Sequence, residues 1–147
     1  MFIRNAKIED RKILSNIAYK SKAHWGYSPE FLHALKEDLE VTIEDIQNKI
    51  VFVVEDNSQL AAFYCLSKEK KKLESLFVHP NYIGNGLGNL LWNDIIEKAR
   101  ANGITSFTLD SDPNALQFYL KMGAKQIAEI ESTLFPNRTF PLMEFKL

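Results

Sequence analysis

The stretch that decides the fold covers residues 73–89 and reads Leu73-Glu74-Ser75-Leu76-Phe77-Val78-His79-Pro80-Asn81-Tyr82-Ile83-Gly84-Asn85-Gly86-Leu87-Gly88-Asn89. It holds an apolar segment typical of a strand, then a loop, then glycines at alternate positions where a helix begins. Glycine lets the backbone approach a ligand closely, and the first N–H groups of a helix have no acceptor within it. The pattern predicts an anion cradle suited to a pyrophosphate, and the alternative is a flexible loop with a tight helix entry.

Two common phosphate-binding loops fit this stretch poorly. A Walker A loop needs Lys and then Ser or Thr after its last glycine, whereas Gly88 is followed by Asn89 and Leu90. A dinucleotide fingerprint needs a third glycine where Asn89 stands, and its only support is Asp110 at the end of the next predicted strand. A nucleotide-binding domain is therefore kept only as a remote alternative.

Hydrophobic periodicity on either side of this stretch predicts an α/β (α+β) fold around one mixed sheet. Before it, the pattern predicts strands at 2–5, 50–54 and 60–66, helices at 8–22 and 30–38, and a turn of helix at 42–48. After it, the pattern predicts helices at 87–102 and 113–122 and strands at 104–109, 125–130 and 140–145. Because no linker rich in Pro, Gly or Ser divides the chain, residues 1–147 are predicted to form a single domain.

The composition is that of an ordinary globular protein, with 46% hydrophobic and 25% charged residues. Lys+Arg 18 against Asp+Glu 19 gives a net charge of −1, so no nucleic acid and no anionic membrane is expected as a partner. The single cysteine, Cys65, cannot form an internal disulfide, which fits a reducing compartment. The start becomes charged at Arg4, and no apolar run reaches the ~18 residues of a membrane span. A cytoplasmic protein without a metal is the expectation.

A second segment reads Pro113-Asn114-Ala115-Leu116-Gln117-Phe118-Tyr119-Leu120-Lys121-Met122-Gly123-Ala124. Together with His79-Pro80 and the run Ile83-Gly84-Asn85-Gly86-Leu87-Gly88, it resembles the two motifs of the GNAT superfamily of acyl-CoA-dependent N-acetyltransferases. The resemblance implies a GNAT-like domain, with a central mixed, mostly antiparallel sheet flanked by helices. Ile83 departs from the usual Gln or Arg, which removes one polar contact near the pyrophosphate. Ala124 replaces an aromatic residue, which affects packing.

The resemblance implies acetyl-CoA as co-substrate and assigns its contacts. Backbone N–H groups of the glycine loop would hold the pyrophosphate, and that set is Gly84, Asn85, Gly86, Leu87, Gly88 and Asn89. The strand edge at Leu76, Phe77 and Val78 would pair with the pantetheine arm as an added strand. Asn114 and Phe118 are further cofactor contacts by resemblance, although a helix N-cap and a packed ring are their ordinary roles.

The same resemblance implies direct transfer of an acetyl group to a primary amine. The Leu76 N–H would polarise the thioester carbonyl, and Tyr119 would act as general acid, since a phenol of pKa about 10 stays protonated at neutral pH. The alternative for Tyr119 is the apolar face of a short helix. Glu74 is the candidate base, and a period of two places it on the same strand face as Leu76 and Val78. The family's usual acidic position falls on Lys72, so a water or the solvent is the alternative to Glu74.

His24, Trp25 and Tyr27 stand where GNAT members build the wall of the acceptor site. The alternative is a packed loop between two helices. The acceptor is expected to be a small-molecule or peptide amine, whose identity does not follow from the sequence, and a homodimer is a further expectation by resemblance. A CoA-binding module without transferase activity is the rival if no base is positioned.

Overall fold

Seven strands form one mixed sheet in the order β1-β2-β3-β4-β5-β7-β6. A computed structural model describes all of residues 1–147, and its strands are β1 (Phe2–Asn5), β2 (Ile50–Asp56), β3 (Gln59–Ser67), β4 (Lys72–Val78), β5 (Ser106–Asp110), β6 (Lys125–Glu131) and β7 (Thr139–Lys146). The helices are α1 (Arg11–His24), α2 (Pro29–Leu35), α3 (Ile43–Asn48), α4 (Leu87–Ala101) and α5 (Leu116–Lys121). All neighbouring strands are antiparallel except the parallel pair β4 and β5. The predicted fold class is confirmed.

The two faces of the sheet bury separate apolar clusters, because successive strand side chains point to opposite faces. One face packs against α4 through Leu91 and Ile95. The other packs against α1 through Leu14 and Ile17. On the first face, the Trp92 ring contacts aromatic rings from β5, α5 and β7, namely Phe107, Phe118, Tyr119 and Phe145. The same packing therefore holds α4 and α5 over one part of the sheet.

Short-range turn signals account for the main connections. The β2–β3 hairpin turns at Asn57 and Ser58, both in the left-handed region with φ of 49° and 67°, as in the two-residue turns that suit twisted strands. Helix α4 ends one residue before its predicted end, and Gly103 follows with φ 72°, the conformation that favours glycine after a helix. None of the helices is both long enough and apolar enough to span a membrane.

Strand β4 carries a bulge, and it separates from β5 soon after the two strands meet. The register with β3 shifts so that Cys65 pairs with Ser75 while Leu66 pairs with Leu73, which leaves Glu74 as the extra residue. The only residue pair between β4 and β5 is Lys72 with Thr108. A bulge bends its strand and increases the local twist, so the carboxyl ends of β4 and β5 diverge and leave a cleft between them.

The bulge also corrects the face that periodicity predicts for Glu74. Leu76 and Val78 pack on the α4 side of the sheet. Glu74 lies on the α1 side, where its carboxylate is 3.9 Å from the Cys65 sulfur, a member of the opposite apolar cluster. The prediction that Glu74 shares a face with Leu76 and Val78 is therefore wrong. The extra residue shifts the alternation by one position between Glu74 and Leu76.

Candidate active site

The glycine loop leads from β4 into α4 through a backbone that requires glycine. Gly84 and Gly86 have φ of 90° and 75°, and Gly86 is the N-cap of α4. Side chains rarely adopt this conformation, because it brings Cβ close to the following carbonyl oxygen. Gly88 is needed for a different reason, since a Cβ there would lie 2.9 Å from the Phe118 ring. Backbone conformation therefore favours glycine at positions 84 and 86, and close packing against α5 favours it at position 88.

The loop presents a row of unpaired hydrogen-bond donors. The first helical bond of α4 at this end runs from the Leu90 N–H to the Gly86 carbonyl at 3.1 Å. The N–H groups before it, those of Gly84, Gly86, Leu87, Gly88 and Asn89, have no acceptor within the protein. The Asn85 N–H is weakly engaged, at 3.4 Å from the Tyr82 carbonyl oxygen. Converging amides at a helix N-terminus, with its positive dipole, form a site for a phosphate group.

A cleft of about 390 Å³ brings most of the predicted cofactor contacts together. Its lining includes Leu76, Val78, Gly84, Gly86, Leu87, Gly88, Asn89, Asn114, Phe118 and Tyr119. Phe77 and Asn85 do not line it, and the Phe77 ring packs against Phe63 on the other face of the sheet. A smaller cavity of about 110 Å³ shares Ser21, Trp25, Leu76, Ala115 and Tyr119 with the cleft. It is also lined by Glu74, Asp110 and Asp112, so Tyr119 faces both spaces.

The open edge of β4 faces the gap with free backbone groups. The His79 N–H donates to the Ala61 carbonyl at 2.8 Å, so Phe77, two residues earlier, exchanges hydrogen bonds with Phe63 of β3. Leu76 and Val78 alternate with Phe77 and therefore direct their N–H and C=O groups away from β3. Because β5 has diverged at this point, these groups have no strand to pair with. An extended ligand could pair with this edge as a further strand.

Two tyrosines, Tyr82 and Tyr119, line the cleft, and the Tyr119 hydroxyl has no hydrogen-bond partner in the protein. Only 8% of the residue is exposed. Burial, and then the negative charge of Asp112, raise the pKa of the Tyr119 hydroxyl. The hydroxyl is therefore protonated throughout the neutral pH range and has its proton available for a group in the cleft.

Asp112 organises the entrance to α5, a role that the sequence reasoning missed. Its carboxylate accepts hydrogen bonds from Lys22 of α1 at 2.6 Å, from the Tyr27 hydroxyl at 2.9 Å and from the Asn114 backbone N–H at 2.8 Å. The Asn114 side chain also donates to Asp112, at 3.0 Å. Asp112 is therefore the N-cap of the 3₁₀ turn Pro113–Ala115 that leads into α5, whereas the sequence offered Asn114 as a helix N-cap. The run Asp112-Pro113-Asn114 carries a turn signal from which the cap could have been recognised.

We expect Asp112→Asn to destabilise the fold by about 1–3 kcal/mol at pH 7, because it leaves Lys22 without its counter-charge. Burial raises the pKa of Asp112, but the hydrogen bond and charge of Lys22 outweigh burial and hold this pKa below its usual 3.8. A carboxyl group whose pKa is lower in the folded state than in the unfolded chain stabilises the fold at pH values above its unfolded-state pKa. This stabilisation is lost as the pH falls through the folded-state pKa. Urea unfolding should therefore show the full difference in the free energy of unfolding between the parent and Asp112→Asn at pH 7. This difference should shrink below about pH 3.8.

Asp110→Asn is the matched control for that experiment. Asp110 pairs with Lys72 at 2.7 Å, but its side chain is 32% exposed, compared with 8% for Asp112. Exposed ion pairs contribute about 0–1 kcal/mol, so this variant should be nearly as stable as the parent protein. Equal losses for the two variants would contradict the role of Asp112.

The three residues predicted for the acceptor wall lie in different surroundings. Trp25, at 45% exposure, lines both the cleft and the smaller cavity. The Tyr27 hydroxyl is bound to Asp112, which together with burial raises the pKa of Tyr27 to about 12, and its ring stacks on Phe31 at 4.4 Å. His24 is exposed and lies outside both spaces, with an edge contact to the Trp25 ring at 6.1 Å. Of the three side chains, only that of Trp25 faces the cleft.

Glu74 sits in a charged cluster at the edge of the smaller cavity. Lys49 donates to its carboxylate at 2.6 Å and to that of Asp45 at 2.8 Å. Burial lowers the pKa of Lys49, but the two carboxylates outweigh burial and raise it, so the ammonium stays charged. Asp45, Cys65 and Glu74 place ligand atoms within 4.8 Å of one another, the type of grouping that can hold a metal ion. Here the Lys49 ammonium balances the two carboxylates.

Comparisons with known proteins agree with this geometry. A family model described as an acetyltransferase (GNAT) domain matches residues 16–133. An uncharacterized N-acetyltransferase, ycf52, from Gracilaria tenuistipitata var. liui is 29% identical over 92 residues, covering 51% of this chain and 50% of that protein. A glucosamine 6-phosphate N-acetyltransferase from Trypanosoma brucei brucei is 41% identical over 51 residues, covering 35% of each. The chain thus spans about half or less of the length of these two relatives.

Two solved structures share the fold over almost the whole chain. A GCN5-related N-acetyltransferase from Rhodopseudomonas palustris aligns with a TM-score of 0.87 and 21% identity, over 99% of this chain and 95% of that chain. The PaiA N-acetyltransferase from Thermoplasma acidophilum, solved in complex with coenzyme A, aligns with a TM-score of 0.79 and 20% identity. That alignment covers 99% of this chain and 98% of that chain.

Proposed function

This chain belongs to the GNAT acetyltransferase family, and we propose that it transfers an acetyl group from acetyl-CoA directly to a primary amine. One observation carries the proposal. The row of unpaired N–H groups at the start of α4 opens into the same cleft as the free edge of β4 and the unpartnered Tyr119 hydroxyl. This shared cleft supports the assignment of a phosphate site, a site for an extended arm and a proton donor to one ligand.

Cofactor binding follows from that alignment. The pyrophosphate accepts hydrogen bonds from the glycine loop, where backbone donors and the helix dipole replace basic side chains. The pantetheine arm pairs with the Leu76–Val78 edge in the gap left by β5. Phe118 and Leu87 supply apolar walls, and the Asn114 side chain supplies a polar group near α5. The near-neutral charge of the chain is compatible with this mode, because the donors are backbone amides.

The transfer begins when the neutral amine attacks the thioester carbon. The carbonyl oxygen gains negative charge and accepts a hydrogen bond from the Leu76 N–H. The C–S bond then breaks with its electron pair going to sulfur, and the thiolate takes the proton of the Tyr119 hydroxyl. The new amide gives up its extra proton to a base or to water, and the Tyr119 phenolate recovers a proton from solvent.

The raised pKa of Tyr119 is compatible with this step, because burial raises the basicity of a thiolate as well. Burial, together with the charges of Glu74 and Asp45, likewise raises the pKa of the Cys65 thiol in this chain. A CoA thiolate that forms in the same desolvated cleft is therefore a stronger base than in water. It can therefore take the proton of the Tyr119 phenol, although the raised pKa of that phenol makes it a weaker acid than a phenol in water.

Glu74 remains our candidate for the base, acting through a water at the edge of the smaller cavity. We expect Glu74→Gln to lower kcat/KM about a hundredfold at pH 7, and we expect part of the activity to return at higher pH, where more of the amine is neutral in solution. Steady-state assays from pH 7 to 10 measure this. Asp45→Asn is the control, because it removes the other carboxylate on Lys49 without altering the cavity lining. A kcat/KM for Glu74→Gln within threefold of the parent would assign proton removal to solvent.

A CoA-binding module without transferase activity is the second candidate. It is favoured by one observation, that the carboxylate of the candidate base Glu74 is already ion-paired with Lys49 at 2.6 Å. Calorimetry with acetyl-CoA, ATP and NAD tests both candidates, and we expect only acetyl-CoA to bind. Release of free CoA thiol is then measured with a panel of small and peptide amines. Thiol release that depends on an amine supports the transferase, and binding without release from any amine supports the module.

A further inference from the structure

A third cavity, of about 580 Å³, lies against α1 on the side of α2. Its walls come from the first turns of α1, from α2 and from the segment that precedes α3, and they include Arg11, Lys12, Asn16, Tyr19, Lys36 and Glu40. It shares no lining residue with the cleft or with the smaller cavity. Its volume lies within the range of small-molecule sites, which is about 300–1,000 Å³. The acetyl-transfer chemistry makes no use of it.

The lining of this cavity is strongly basic in a chain whose net charge is −1. Arg11, Lys12 and Lys36 contribute positive charges, and none of them takes part in an ion pair. Glu40 is the single acidic residue of the lining. Three cations with one carboxylate leave an excess of positive charge around the cavity, which raises the local concentration of anions. This excess charge favours a ligand that carries negative charge.

The remaining lining is mixed, with polar side chains from Ser15, Asn16, Tyr19 and His33 and apolar ones from Leu39 and Val41. The Ser15 hydroxyl donates to the Arg11 carbonyl at 2.8 Å and accepts from the Val41 N–H at 2.9 Å, which joins α1 to the segment before α3. The Asn16 and Tyr19 side chains make no hydrogen bond within the protein. The hydrogen bonds of Ser15 thus fix the backbone walls of the cavity, while exposed side chains such as Lys12, Asn16 and Lys36 supply free donors and acceptors at its rim.

We propose that this cavity binds a small phosphorylated molecule. Arg11, Lys12 and Lys36 contact the phosphoryl oxygens, with Arg11 able to bind two of them at once through its planar guanidinium group. Glu40, Asn16 and Tyr19 contact hydroxyl or amino groups of the same molecule. A carboxylate among the cations favours a ligand that carries such donors over a bare anion.

Amide chemical shifts measured during titration with inorganic pyrophosphate test this proposal. We expect shifts in residues 11–19 and 33–41, separate from any shifts in the glycine loop at 84–89. Lys12→Glu combined with Lys36→Glu should abolish the first set, or weaken binding there at least tenfold, and should leave the second set unchanged. The two sets of chemical-shift changes report on this cavity and on the cofactor cleft separately. A negative result for one site therefore does not contradict the proposal for the other.

Lys68→Glu combined with Lys70→Glu is the matched control, because it reverses two exposed charges on the β3–β4 turn. This variant should keep both sets of shifts. No shifts at 11–19 and 33–41 at millimolar pyrophosphate would overturn the proposal. It would also be overturned by equal shifts with chloride at the same ionic strength, or by equally large shifts across the β3–β4 turn, since either result indicates unspecific attraction to basic residues.

Discussion

Gly86→Glu is expected to abolish measurable acetyl-CoA binding, with a loss of at least about a hundredfold in affinity. No protein atom lies within 4 Å of the position that a Cβ at Gly86 would take. The new side chain therefore enters open space at the mouth of the cleft, where the pyrophosphate would sit. A carboxylate there repels the phosphates, and placing like charges side by side costs several kcal/mol, while each ~1.4 kcal/mol is a tenfold change. Titration calorimetry with acetyl-CoA measures the loss.

Gly103→Glu separates that effect from backbone strain. Gly103 has φ 72°, close to the 75° of Gly86, and it too has open space around it. It follows α4, at the far end of the helix from the cradle. Both variants carry the same new charge and a similar left-handed strain of about 1–2 kcal/mol, so their stabilities should match. Only Gly86→Glu should lose the cofactor, and unchanged affinity for acetyl-CoA would refute the cradle.

Tyr119→Phe is expected to lower kcat about a hundredfold or more, while the dissociation constant for acetyl-CoA changes little. The proton is needed only when the C–S bond breaks, so the loss belongs to the transition state. Because the hydroxyl makes no hydrogen bond in the free protein, its removal should change the free energy of unfolding by no more than about 1 kcal/mol. Single-turnover assays measure the rate of acetyl transfer, and calorimetry measures the dissociation constant for acetyl-CoA.

Tyr64→Phe is the opposite case and serves as the control. The buried Tyr64 hydroxyl donates to Asp94 at 2.7 Å and does not reach the cleft. Its removal should destabilise the fold by about 1–3 kcal/mol, because Asp94 loses a buried partner. The kcat of this variant should stay near that of the parent. If Tyr119→Phe instead weakens acetyl-CoA binding as much as it lowers kcat, then Tyr119 has a packing role.

The parts of the fold that were predicted correctly depend on short-range patterns. Apolar periodicity marks β4 and α4, and alternate glycines mark the turn between them. The glycines are visible in the sequence because a positive φ or a close contact with a ring restricts the residue type at that very position. The same local signals placed Leu76, Val78, Asn114, Phe118 and Tyr119 on elements that do converge on one cleft. Their assignment to the cofactor and to proton transfer came from the resemblance and is a proposal for this chain.

The errors and omissions involve contacts between distant parts of the chain. The face of Glu74 depends on a bulge in the pairing of β4 with β3, and the alternation of one strand alone does not reveal an extra residue. The role of Asp112 depends on Lys22, which lies 90 positions earlier in the chain. The basic cavity likewise combines α1 with α2 and the segment before α3, whose charges are unremarkable when each is taken alone.

By itself, the sequence determined the order of the strands and helices, the glycine loop and the helix that carries Tyr119, since each of these depends on backbone preferences within a few residues. Only the tertiary structure decided where β4 and β5 part, on which face Glu74 lies and which charges remain without a partner. Those features depend on strand register and on helix packing, which bring together residues that local sequence patterns do not relate.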